Sequence, residues 1–220
     1  MLFRSDLTAG EMLEQIYAIE RDTGIKVTNV VIMGCGEPLD NYRNSIRFIK
    51  MISDEKGANI GRRRITLSTC GLTEKIKYLA DEMLQITLAV SLHAPNDTIR
   101  NKLMPVSKKN PLDGLLHACF KYHQKTGRRV TFEYALIGGV NDTAENAEEL
   151  CRKLAGLSCH VNILNINETP GRSFKKSGNT HEFISILEKN GQTCSLRGEK
   201  GADIDAACGQ LRKRFMQEEL

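Results

Sequence analysis

Five short stretches hold side chains able to do chemistry directly after strand-like runs: Gly34-Cys35-Gly36-Glu37-Pro38, Ser68-Thr69-Cys70-Gly71, Ser91-Leu92-His93-Ala94-Pro95-Asn96, Gly138-Gly139-Val140-Asn141-Asp142 and Asn165-Ile166-Asn167. All are polar and mostly small. Gly34 and Gly36 let backbone approach a ligand closely, and the Glu37 carboxylate suits a ligand ammonium or, equally, solvent beside a glycine turn. The spacing is not the dinucleotide fingerprint Gly-x-Gly-x-x-Gly, and Pro38 removes a backbone donor that a phosphate would use. Ser68, Ser91 and His93 offer hydroxyl and imidazole groups. His93 reads as a base, a donor, a stacking surface or a plain structural histidine. Asn167 can donate to and accept from an adenine or a carboxylate, and Asn-Ile-Asn is also an ordinary turn sequence.

The run Gly201-Ala202-Asp203-Ile204-Asp205-Ala206-Ala207-Cys208-Gly209-Gln210 places Cys208 among small neighbours. Its sulfur then serves either as an accessible thiolate and covalent carrier or as a small buried hydrophobe. Cys208 is one of seven cysteines, an odd set whose closest pair, Cys151 and Cys159, is eight residues apart. No Cys-x-x-Cys clip for zinc or an iron-sulfur cluster results, and reduced thiols are expected. The basic clusters Arg62-Arg63-Arg64, Lys108-Lys109, Lys175-Lys176 and Arg212-Lys213-Arg214 suit either a phosphate backbone or a solvated face.

Alternating elements must position these groups. Thr8-Ala9-Gly10-Glu11 reads as a capping box opening a helix over 8–23, followed by an apolar strand over 27–33 that suits burial on both faces. Helix 44–53, strand 64–68, helix 73–82, strand 86–91 and helices 97–103 and 112–126 come next. Strand 130–136, helix 143–155, strand 161–165, helix 181–190, strand 193–197 and helix 203–215 complete the chain. Such alternation predicts α/β architecture with parallel strands, better suited to an open or incomplete barrel than to a closed eightfold one. In that architecture ligands collect where strands end, which is where the five stretches fall.

The 220 residues, 40% hydrophobic and 26% charged, exclude collagen-like and disordered classes and fit one domain over 1–220 with a C-terminal strand-helix extension. No apolar run approaches the ~20 residues of a membrane helix. The start has no signal-peptide pattern, so a cytoplasmic location is expected. A net charge of +4 is compatible with an anionic partner.

Taken in register, Met33 to Asn41, Leu67 to Gly71, Ala89 to Asp97, Thr131-Phe132-Glu133-Tyr134, Gly139 to Asp142 and Gly201 to Gln210 resemble the radical S-adenosylmethionine (SAM) adenine methyltransferases. That family modifies C2 of an adenine in 23S rRNA and in some tRNAs, and a relative conferring antibiotic resistance modifies C8. The resemblance implies a partial (β/α)6 TIM-like radical SAM barrel lacking its first strand and cluster loop. It implies SAM as cofactor, with Gly36 and Glu37 at its amino group, Ser68, Ser91, Leu92 and His93 lining its site, and Asn167 in contact with it. Cys208 becomes the methyl carrier, through an S-methylcysteine. The family's Cys-x-x-x-Cys-x-x-Cys, which ligates a 4Fe-4S cluster, is not among these residues. A truncated, inactive member is therefore expected, with a non-catalytic SAM- or RNA-binding barrel module as the alternative. The implied partners are 23S rRNA and tRNA, and a flavodoxin or ferredoxin as electron donor for the intact enzyme. No membrane is implied, and an exposed sheet edge suggests dimerisation.

Overall fold

Local capping sets the first helix. The Thr8 hydroxyl accepts from the Glu11 amide at 3.2 Å, and the Glu11 carboxylate accepts from the Thr8 amide at 2.7 Å. These bonds satisfy orphan donors at the start of α1, Ala9–Thr23, and Gly24 ends the helix at φ +67. The computed structural model describes residues 6–33, 36–166 and 174–198. Helix 203–215 of the sequence reading lies outside them.

Six strands follow: β1 Val30–Ile32, β2 Ile65–Thr69, β3 Thr87–Ser91, β4 Val130–Leu136, β5 Cys159–Asn165 and β6 Cys194–Arg197. They pair in chain order, every neighbour parallel, in one unclosed sheet. The crossovers are α2 Tyr42–Ile52, α3 Thr73–Asp81, α4 Asp97–Leu103 with α5 Leu112–Thr126, α6 Ala144–Leu154 and α7 Thr180–Lys189. When sequential parallel strands are joined by right-handed crossovers without reversal of order, all helices fall on one face. The other face is left to line an open barrel.

The burial pattern follows from this asymmetry. Ile65, Leu67, Leu88, Val90, Val130, Phe132, Tyr134, Leu136, Val161 and Ile163 join the helices in one buried core. Each such side chain contributes about 1.5–3 kcal/mol by leaving water. The alternate residues face the concave side and are mostly small or polar. In register they form a row Ser68, Ala89, Thr131 and His160, and above it a row Ser91, Glu133, Asn162 and Ser195. The Tyr134 and Phe183 rings, 5.2 Å apart, tie β4 to α7.

Most predicted elements lie where periodicity put them, with α4, α5 and β4 matching to the residue. β1 differs from expectation. It is three residues long, and Val31, on its concave side, is 51% exposed. An apolar run reads as doubly covered, but helices cover only one face of this sheet.

Candidate functional site

The strand C-termini are held by buried polar contacts between loops. After β1, Gly36 adopts φ +127, a conformation that L side chains rarely adopt, with open space where a Cβ would lie. Glu37 follows. One carboxylate oxygen accepts from the Leu39 amide at 3.0 Å and the other from the Cys70 amide at 2.7 Å, so it clamps the β1 loop to the β2 loop. Each oxygen keeps a lone pair for a ligand donor.

On the far side of Cys70 stands Arg100, fully buried on α4. Its guanidinium donates to the carbonyls of Cys70 at 3.0 Å, Asn110 at 3.1 Å, Leu92 at 3.3 Å and Ser91 at 3.4 Å. Four carbonyl dipoles solvate one cation and thereby fix the loops after β2 and β3. Gly71 makes room for this, since a Cβ there would meet Leu115 Cδ2 at 2.9 Å and Arg100 Nη2 at 3.1 Å.

His93 sits at φ +58. Its Nδ1 accepts from the Ala135 amide at 3.0 Å, so the ring proton is on Nε2. Asn141 locks the same turn, donating to the His93 carbonyl at 2.7 Å and the Ala135 carbonyl at 2.8 Å while accepting from the Ile137 amide. The Tyr134 hydroxyl holds the Asn141 carbonyl at 2.8 Å. Burial, and secondly the charge of Arg100, push the His93 pKa down to about 4. An imidazole so held is a neutral donor through Nε2 and a poor base at neutral pH, which removes one of its four sequence readings.

Ser68 and Ser91 occupy the concave face at successive heights on neighbouring strands, and their hydroxyls take no partner among the described residues. The Leu92 side chain is 1% exposed and belongs to the core. The Leu92 amide donates to the Glu133 carbonyl at 3.0 Å and its own carbonyl takes Arg100, so it can serve a ligand only by shaping the turn. Asn167 and Cys208 lie outside the described residues.

Burial raises the pKa of every described cysteine, which disfavours the thiolate. Burial, then Glu37 and Asp40, push the Cys70 thiol up to about 12. Burial likewise raises Cys119 to about 12 and Cys159 to about 11. All three remain thiols at neutral pH. No group of three or more His, Cys, Asp or Glu that could hold a metal occurs among the described residues. Of the basic clusters, Lys108-Lys109 ends a short 3-10 helix, Pro105–Lys109, between α4 and α5, and Lys175-Lys176 lies between β5 and α7. Arg62–Arg64 precedes β2 and so sits at the end of the sheet opposite the strand C-termini.

Sequence reasoning did not single out two buried charged side chains, Glu133 and Arg100. Glu133 had a signal, a carboxylate inside an otherwise apolar strand. Arg100 had none, because an arginine in a short polar helix reads as solvated.

Residues 6–154 match the Radical SAM superfamily. Over 215 residues the chain is 48% identical to a protein from Lachnospira eligens named "Probable dual-specificity RNA methyltransferase RlmN", covering 97% of this chain and 61% of that protein. A relative of the same name from Alkaliphilus oremlandii is 52% identical over 214 residues, covering 96% and 62%. The chain thus spans about three fifths of the length of the curated relatives it matches. A crystal structure of a radical SAM methyltransferase from Sphaerobacter thermophilus superposes with a TM-score of 0.89 at 48% identity, over 94% of this chain and 62% of that one. A domain of pyruvate-formate lyase-activating enzyme from Bacteroides vulgatus, 18% identical with a TM-score of 0.61 over 78% of this chain and 100% of that one, shares the fold.

Proposed function

The chain belongs to the radical SAM superfamily, and from that premise we propose that it forms the SAM-binding barrel of an RNA methyltransferase acting on an adenine of 23S rRNA and tRNA. The carbon modified is C2, or C8 as in the related resistance enzyme. The observation that carries this reading is the placement of Gly36, Glu37, Ser68 and Ser91 at the C-terminal ends of three successive strands, on or beside the polar concave face. The names of the relatives support the RNA substrate.

These residues fit SAM. Gly36 leaves room for backbone approach, Glu37 is pre-set by two amides to receive an ammonium, and the two serine hydroxyls have no partner among the described residues. Arg100 and Asn141 hold the turns that present them, a positioning task completed before ligand arrives. His93 contributes a neutral Nε2 donor. Asn167 adds a further contact, and Cys208 carries the methyl carbon as S-methylcysteine. In this family SAM supplies the methyl group and, with a 4Fe-4S cluster reduced by a flavodoxin or ferredoxin, the radical chemistry. The described residues do not fit that cluster, so these 220 residues by themselves bind SAM without cleaving it reductively.

Isothermal titration of the 220-residue chain with SAM tests the reading. Saturable binding, weakened at least about tenfold by Glu37→Ala, is expected from loss of a charge-assisted contact. Absence of binding, or an unchanged affinity in the variant, overturns the cofactor site. Anaerobic reconstitution with iron and sulfide should leave no stoichiometric 4Fe-4S absorption, and a full cluster would overturn the second statement.

A further inference from the structure

Beside Ser91 on the concave face lies a carboxylate to which the proposed function gives no task. Glu133, mid-strand on β4, is 5% exposed. Its Oε1 accepts from Asn162 Nδ2 at 2.9 Å, but its Oε2 is buried with no hydrogen-bond partner among the described residues. Arg197 Nη1 pairs with it at 4.0 Å, from a side chain 52% exposed. A buried carboxylate oxygen with no hydrogen bond, its ion-pair partner 4.0 Å away, is costly, and a donor that reached it would relieve that cost.

The neighbours show what that donor must offer. Ser195 Oγ donates to Asn162 Oδ1 at 3.0 Å, and His160 Nε2 lies 2.9 Å from Ser195 Oγ. A hydroxyl spends its one proton on Asn162, so His160 is the donor to Ser195, and the amide of Asn162 is left to face Glu133. The relay therefore runs in one direction, from His160 through Ser195 and Asn162, and ends on a carboxylate that can only accept. Small side chains flank Glu133 on the concave face: Ser91 opposite it, Ala135 on its own strand and Ala89 one strand across.

We infer that Glu133 Oε2 is the acceptor for an N–H or O–H donor of an adenosine unit, whether that unit belongs to the cofactor or to the target RNA. The inference rests on the proposed cofactor and substrate class. It adds a specificity residue to that site, one that a nucleoside presenting an acceptor at the same place would be unable to satisfy.

Glu133→Gln tests it, because glutamine keeps the oxygen that meets Asn162 and puts a donor where Oε2 was. Two arms separate the sources: S-adenosylhomocysteine by titration calorimetry, and a short adenosine-containing RNA by fluorescence anisotropy, each with wild type and variant. At least about a tenfold loss of affinity in one arm, identifying the source, is expected from removal of a buried charged acceptor. Thermal stability should hold or rise in the variant, since a buried charge that lacks a hydrogen bond on Oε2 is removed. If wild type binds both ligands and Glu133→Gln binds them equally well, the inference fails and the proposed function stands. If wild type binds neither, the proposed function fails. If Glu133→Gln and Arg197→Ala lower the melting temperature equally without touching affinity, Arg197 is the true partner of Oε2 and the inference is overturned.

Discussion

Burial keeps the His93 imidazole neutral down to about pH 4 against an ordinary value of 6.5, with the charge of Arg100 as the second cause. The unfolded chain takes up a proton near 6.5 that the native chain refuses until about 4. Stability from this residue is therefore complete above 6.5, declines as pH falls through the window from 6.5 to about 4, and levels off below it. Single-site linkage across that shift gives a loss of about 2 kcal/mol between about pH 7.5 and about pH 5. The control is His93→Asn. Asparagine does not titrate, and it tolerates the φ of +58 found here. It forfeits the bond from the Ala135 amide, a fixed cost at every pH. Urea unfolding of both proteins across this pH range isolates the titration, because all other groups cancel in the difference. Wild type should lead the variant by about 2 kcal/mol less at about pH 5 than at about pH 7.5. A lead that stays constant within about 0.5 kcal/mol would refute both the neutral state of His93 and the geometry assigned to it.

Three further outcomes follow from the same loops. Arg100→Met leaves four carbonyls on the β2 and β3 loops without their donor. After the relief of desolvating the cation, about 2–4 kcal/mol should be lost, read as a fall of roughly 5–15 °C in melting temperature. Arg100→Lys should recover little of this, because an ammonium cannot span the same fork of acceptors. Gly71→Ala drives a Cβ to 2.9 Å from Leu115 at φ +99, and calorimetry should show a loss of at least about 2 kcal/mol. Finally, β1 pairs with β2 alone among the described residues, so we propose that its free edge drives self-association. Light scattering coupled to size exclusion should report a dimer or larger species at micromolar concentration, and a clean monomer would contradict it.

Local end signals account for two of the three elements whose bounds matched to the residue, α4 and α5. Asn96 opens α4 with a local cap, its Oδ1 accepting from the Ile99 amide at 3.0 Å, and Gly127 closes α5 at φ +69. Signals of that kind act over three or four residues and are legible in any sequence. β1 was misjudged because an apolar run says nothing about how many neighbours cover it. The ligand-site residues were legible only partly from type and spacing. Their assignment to SAM came from the resemblance of six motifs to a known family.

Glu133, Arg100 and Asn141 show where sequence reasoning stops. Glu133 meets Asn162, 29 positions along the chain. Arg100 meets Cys70, 30 positions away, and Asn141 meets the His93 carbonyl, 48 positions away. By itself the sequence determined the alternating elements, the small polar loops at strand ends and the family to which they point, because caps, periodicity and loop chemistry are local. Only the tertiary structure decided which charges would be buried, which oxygen of Glu133 would lack a hydrogen bond among the described residues and that His93 would be neutral. Desolvation and its compensation depend on side chains that the chain brings together only when the sheet curls.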